Sequence, residues 1–264
     1  MDVSKTSTSG RPGIAQGVME RAVVGAMRAI EQLPARISAA LRPYAPLWVS
    51  GAFDRVHIDS PLILCFLLFC LIVQIITVSF RKDFNIDYFA IWPFSRFYLF
   101  SLLSYWRLFS HVLGHSSWEH FSGNAIYILL VGPACERQYG AFHLLRIMLW
   151  TGVSSAFSFM LFSRGNSVQL GASGVVFMLI ILSSLSENRA GKVPFTFIVQ
   201  IVVWVYKEVV AGIFAQDSIS HSAHLVGAIV GTIAGYELHG VLVHKRAAPA
   251  MMSWYHRAKG RVSR

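Results

Sequence analysis

The chain has 264 residues, 55% of them hydrophobic and only 14% charged, against about 25% charged in ordinary globular domains. With a mean hydropathy of +0.53, this composition excludes an ordinary soluble enzyme; apolar runs of about 20 residues, each able to cross roughly 30 Å of hydrocarbon as a helix, mark a polytopic membrane protein. The formal charge of +10 does not point to nucleic acid, because the excess lies mostly at the C-terminal end and no basic stretch is interleaved with base-stacking aromatics.

Residues 1–55 read as a separate, less apolar N-terminal tail, mobile or lying on a membrane surface, opening with Ser4, Thr6, Ser7, Thr8 and Ser9 and punctuated by Pro34, Pro43 and Pro46. Between Ile14 and Leu33 the pattern of Val18, Ala22, Met27 and Ile30 with Arg21 and Arg28 permits an amphipathic helix, suited to a membrane surface or to a transit sequence. Asp2, Glu20 and Glu31 weaken the transit reading, and the first strong apolar run comes too late to be a secretory signal peptide.

Six spans follow, at 61–80, 119–135, 142–162, 168–186, 194–214 and 219–239, within a domain covering 56–243; a basic tail occupies 244–264. The fold class is therefore all-α, a six-helix membrane bundle with both termini on one side. Lys245, Arg246, Arg257, Lys259, Arg261 and Arg264, with no acidic residue among them, and Arg55 before the first span place those termini on the cytosolic or equivalent side. Arg81, Lys82, Arg96 and Arg107 in the first long loop argue the other way, but that loop is aromatic and suited to the membrane interface. Cys65, Cys70 and Cys135 lack the spacing of a disulfide framework or a zinc site and read as small buried hydrophobes.

With that topology spans two, four and six run in the same direction, so residues one or two turns into each share a depth. His120 and Asn124 in span two, Ser173 in span four and His224 in span six stand there. Polar groups inside a membrane are costly and default to functional candidates, although a satisfied buried histidine is a common bland alternative.

Ser173 stands in Gly171-Ala172-Ser173-Gly174 at the beginning of a helix, whose free N–H groups and dipole favour a developing oxyanion. Alone this fragment serves plain helix packing equally well. It is not a Gly-x-Ser-x-Gly elbow, since Val175 fills the last position. His224 begins a small-residue stripe, Gly227, Gly231 and Gly235, that lets span six pack backbone to backbone on a neighbour. If the neighbour is span four, His224 reaches Ser173 as a general base, which a serine hydroxyl requires near neutral pH. His221 is a competing base nearer the interface and off the glycine face. His120 and Asn124, four apart on one face, offer an imidazole N–H and an amide NH₂, donors suited to an oxyanion; helix-to-helix hydrogen bonding is their bland alternative.

The ordered set Trp106-Arg107, Ser110-His111, His115, His120, Asn124, Gly132, Glu136, Gly140, Gly171-Ala172-Ser173-Gly174 and Ala223-His224 with Gly227 and Gly231 closely resembles the rhomboid family of intramembrane serine proteases, over about residues 60–240. The resemblance implies a six-span bundle, a serine endopeptidase that cleaves transmembrane segments of other proteins within the lipid bilayer. Ser173 then corresponds to the nucleophile, His224 to its base, and His120 and Asn124 to oxyanion donors together with the Ser173 N–H. Trp106 and Arg107 match a structural loop motif, and Glu136 a carboxylate that ties helices together. No carboxylate is placed to orient His224, which makes the pair a Ser-His dyad. No metal or organic cofactor is implied.

Two departures from the family stand out. Phe177 replaces the tyrosine that often stacks on the catalytic imidazole, keeping the ring without its hydroxyl. Lys207 and Glu208 interrupt span five, the family's candidate gate for substrates; an interfacial end to a shorter span accounts for them equally. Rival readings are a proteolytically silent relative that binds membrane clients and a transporter, against which stands the lack of an internal repeat.

Overall fold

The computed structural model describes residues 14–44, 52–163, 166–186 and 223–235, with single positions at 195, 198–199, 202–203, 206 and 237. The chain divides into two compact units, Met1–Pro61 and Leu62–Arg264. In the first, the helix expected between Ile14 and Leu33 is present as α1 (Ile14–Glu31), and α2 (Leu33–Leu41) follows it. Pro34 sits in the first turn of α2, where a missing N–H breaks no intrahelical bond. An exposed ion pair joins Arg42 to Asp54 at 3.1 Å.

The second unit is built from α3 (Pro61–Ser79), α4 (Phe84–Tyr88), α5 (Leu102–Ser110), α6 (Trp118–Tyr139), α7 (Ala141–Phe162), α8 (Ser173–Ser186) and α9 (Ala223–Gly235), with 3₁₀ turns at Phe94–Arg96 and His111–Leu113. Among the described residues α3 and α7 are long and apolar enough to cross a membrane, and α8 and α9 are shorter apolar helices. Spans one and three thus fall within a residue of their expected bounds, while α6 runs four residues past the expected end of span two, to Tyr139. Gly140 turns the chain directly into α7 with φ +78°, a conformation in which a Cβ would be strained. Span five lies almost wholly outside the described residues, as do Lys207, Glu208, His221 and the basic tail.

The fourth span requires a correction. It does not begin at 168: residues before Ser173 are not helical, because Gln169 pairs in an isolated antiparallel bridge with Ile91 and Gly171 takes φ +125°. The Gln169 backbone N–H and C=O are committed to Ile91 of the first loop, with both bonds at 3.0 Å.

Packing places α6, α8 and α9 side by side in one direction. Going down α6, His120 faces Gly171, the Cys135 thiol meets the Leu179 carbonyl, and the Tyr139 hydroxyl donates to the Leu182 carbonyl at 3.2 Å. The partner numbers rise together, so the helices are parallel. The glycine stripe of α9 faces α8: a Cβ on Gly231 would lie 2.8 Å from the Met178 carbonyl oxygen, one on Gly235 would lie 2.7 Å from Leu185, and Gly227 rests on the Gly174 carbonyl. Small residues are what allow backbones to approach this closely.

The long first loop is stapled to the helices. Ile91, with Phe97 and Leu108 beside it, packs on Ala156, Phe159 and Met160 of α7. Its cations are engaged locally: Arg81 bonds Asp87 at 2.6 Å and lies over Tyr88, Arg96 lies over Trp92 and bonds Asn166, and Arg107 bonds the Asp87 carbonyl. Three of the four charges that opposed the expected orientation therefore have a role inside the loop fold, so their presence there is explained without reference to membrane sidedness. Trp106 completes the staple, edge-on to Phe89 and Phe109.

Candidate active site

Helix α6 begins where Ser117, in an extended conformation, caps it by accepting the His120 N–H at 3.1 Å. This fixes His120 in the first turn and puts Asn124 one turn further down the same face. The imidazole of His120 lies against the Gly171 backbone, where a Cβ would come within 2.6 Å of ring Cε1 and 2.8 Å of Nε2. Asn124 is buried, and its side-chain amide nitrogen has no hydrogen-bond acceptor among the described residues. Leaving a buried NH₂ unpaired costs free energy of about 1–3 kcal/mol.

On the other side of the Gly171–Gly174 turn stands α9. Gly174 faces the Ala223 carbonyl, and one turn beyond Ser173 the Phe177 ring packs on the His224 imidazole with centroids 4.4 Å apart and 39° between planes. The aromatic contact expected of Phe177 is thus made without a hydroxyl. His224 is buried, and its imidazole and that of His120 are within electrostatic reach of each other. The structure therefore gathers His120, Gly171, Ser173, Gly174 and His224 around one turn, with Asn124 directly below His120; Gly227 and Gly231 set the helix spacing.

Trp106, Arg107 and Glu136 lie away from this turn and have other partners. The two carboxylate oxygens of Glu136 accept the Leu62 and Ile63 N–H groups, both at 3.0 Å, closing the N-terminal turn of α3 from a helix over 70 positions away.

Sequence reasoning assigned no role to the groups that hold the turn from behind. The Gly171 N–H donates to the His111 carbonyl at 3.0 Å, and the Ala172 N–H reaches His115 Nε2 at 3.4 Å. His111 Nε2 contacts Ser155 and Gln169, and its Nδ1 contacts the Arg107 carbonyl. The Asn85 amide donates to the His115 carbonyl at 2.6 Å. The signal available for these residues was their polarity beside apolar runs, which does not say which backbone each one meets.

Burial sets the charge state of both supporting histidines. It pushes the His111 pKa down to about 4, opposed by the Arg107 and Leu108 carbonyls. It pushes His115 to about 3, aided by the positive charge of His120 and opposed by the Leu113 carbonyl. Both groups are neutral in the fold but gain protons below about pH 6.5 when unfolded. Stability is therefore complete above about pH 6.5 and falls on acidification toward pH 4, by about 1.4 kcal/mol per pH unit for each imidazole. The unfolding midpoint of the detergent-purified protein should be flat from pH 8 to 7 and drop steeply between pH 6 and 4.5; a flat profile across that range would contradict neutral burial.

Gly171 carries a second expectation. Alanine there must adopt φ +125° and place its methyl in the His120 ring. Gly171→Ala should lose about 1–3 kcal/mol of stability, and any function of the turn should fall at least tenfold in the fraction that remains folded. Unfolding midpoint and turnover measured on one preparation separate the two effects.

The chain matches the rhomboid domain over residues 103–241, more than half of its length. It is 28% identical over 183 residues to "Rhomboid protease GlpG" of Yersinia pestis (strain Pestoides F), covering 67% of this chain and 62% of that protein. It is 30% identical over 132 residues to "Rhomboid-like protein 11, chloroplastic" of Arabidopsis thaliana, covering 45% of this chain and 47% of the plant protein. The chain thus spans about half to three fifths of the length of these curated relatives.

Proposed function

Because the chain belongs to the rhomboid family, we propose that it is a multi-pass intramembrane serine endopeptidase that cleaves transmembrane segments of other membrane proteins with a Ser173-His224 dyad. One observation carries the reading: the Gly171–Gly174 turn lies between the His120 ring and the helix bearing His224, with the Asn124 amide, unpaired among the described residues, one turn below His120.

In this reading the substrate helix arrives laterally between spans two and five of a six-span bundle and unwinds at its upper end, since a helical carbonyl is shielded and internally bonded. His224 takes the hydroxyl proton of Ser173 as Oγ attacks the carbonyl carbon. The resulting oxyanion accepts bonds from His120, Asn124 and the Ser173 N–H, which begins α8 and has no intrahelical partner. The intermediate collapses as protonated His224 gives its proton to the departing amine. Water, deprotonated by His224, then hydrolyses the acyl ester and restores Ser173. The partners are transmembrane substrates and the lipid bilayer, with no nucleic acid; each step is carried by side chains and the Ser173 backbone N–H, without a cofactor.

The experiment is incubation of the purified chain in liposomes with transmembrane segments tagged at both ends. Two tagged fragments support the protease. Retention of the segments with no fragment, across several sequences, would replace it with a proteolytically silent relative that captures membrane clients.

A further inference from the structure

Two adjacent serines precede α6, and both fasten the same histidine. Ser117 takes the His120 backbone N–H as the helix cap, and Ser116 Oγ lies 3.2 Å from His120 Nδ1. Among the described residues Ser116 is the side chain hydrogen-bonded to that ring. The Cε1–Nε2 edge of the ring faces the turn: measured from a Cβ position on Gly171, Cε1 is at 2.6 Å, Nε2 at 2.8 Å and Nδ1 at 3.7 Å. A neutral imidazole carries one proton, so it donates toward Gly171 only when Nε2 holds it and Nδ1 acts as acceptor.

We infer that Ser116 is a positioning residue for His120, its hydroxyl donating to Nδ1 and so holding the ring with a protonated Nε2 directed at the Gly171 turn. The inference rests on the oxyanion role given to His120 above. The neighbouring His115 ring, edge-on at 5.1 Å, limits ring tilt but supplies no hydrogen bond to Nδ1. Ser116 itself is exposed, so removing its hydroxyl disturbs no packed core. With Ser117 still capping α6, the backbone of His120 stays in place while the ring gains freedom to rotate or to take the other tautomer.

The test compares the parent chain with Ser116→Ala and Ser116→Thr in two measurements. Imidazole ¹⁵N spectra at pH 8, assigned with a His120→Gln control, report which ring nitrogen bears the proton. The parent should show Nε2–H and a bare Nδ1; Ser116→Ala should show a second tautomer or an averaged signal, and Ser116→Thr the parent pattern. Cleavage of a transmembrane reporter in liposomes should show kcat lowered roughly three- to tenfold in Ser116→Ala, KM changed less than about twofold, the unfolding midpoint unchanged, and recovery in Ser116→Thr. A parent spectrum with Nδ1–H, or a Ser116→Ala spectrum identical to the parent, overturns the inference. Altered spectra with unaltered kcat would uphold the hold of Ser116 on the ring and instead remove His120 from the oxyanion hole.

Discussion

Ser173→Ala and His224→Ala should each abolish fragment release from a reporter transmembrane segment, with losses of at least roughly 10³-fold, and the double variant should be no worse than either single one. The hydroxyl of Ser173 is a weak nucleophile until a base takes its proton, so removing either member removes the same step. Ser173→Ala deletes one oxygen from a turn whose geometry is set by Gly171, Gly174 and the His111 carbonyl, and segment binding should persist in it. His224→Ala also takes away the imidazole that packs on Phe177; some loss of stability accompanies its loss of rate. Asn124→Ala should retain partial activity, because it deletes one of the three oxyanion donors proposed above and such donors contribute about 10²–10³ in rate. Fragment release that survives Ser173→Ala would remove the dyad and assign turnover to another group.

The second large effect falls on stability rather than on chemistry. Glu136→Ala removes both acceptors at the start of α3 and leaves the Leu62 and Ile63 N–H groups buried without partners. Two such groups cost about 1–3 kcal/mol each, and the favourable interaction of a carboxylate with a helix N-terminus is lost as well. A total of about 3–5 kcal/mol corresponds to a fall of roughly 10 °C in the unfolding midpoint for a unit of this size. Glu136→Gln keeps one carbonyl acceptor and should lose about half as much. Turnover per folded molecule, measured well below the midpoint, should be unchanged in both variants. A large kcat effect without a stability effect would mean that Glu136 acts on the site itself.

Much of the bundle is legible without the structure because transfer from water to lipid acts on composition. An uncharged run such as Pro61 to Ser79 has few alternatives to a helix, and α3 and α7 end close to the expected bounds. The glycine stripe of α9 is equally readable, since Gly227, Gly231 and Gly235 repeat at the spacing of one helix face and form the surface that meets α8. The start of the fourth span was not legible: nothing local to Val168, Gln169 and Leu170 forbids a helix, yet the pairing of Gln169 with Ile91 and the positive φ of Gly171 delay its start to Ser173. Ser116 was hidden for a similar reason. A serine before a helix signals a cap, and only the coordinates separate the cap at Ser117 from the ring contact at Ser116.

The helical class, the lengths of the main apolar helices, the small-residue face of α9 and the set of polar residues that a membrane chain does not carry idly all follow from local composition and periodicity. The tertiary structure alone decided which partner each of those groups meets. Helix α3 is apolar all round except at Gln74, so its period does not reveal that Ile63 and Cys70 turn inward. The support of the Gly171 turn by His111 and His115, and of α3 by Glu136, joins residues 57 to 74 positions apart. Such contacts depend on how helices cross rather than on any local pattern; those of His111 and His115 hold the turn against which the His120 ring lies.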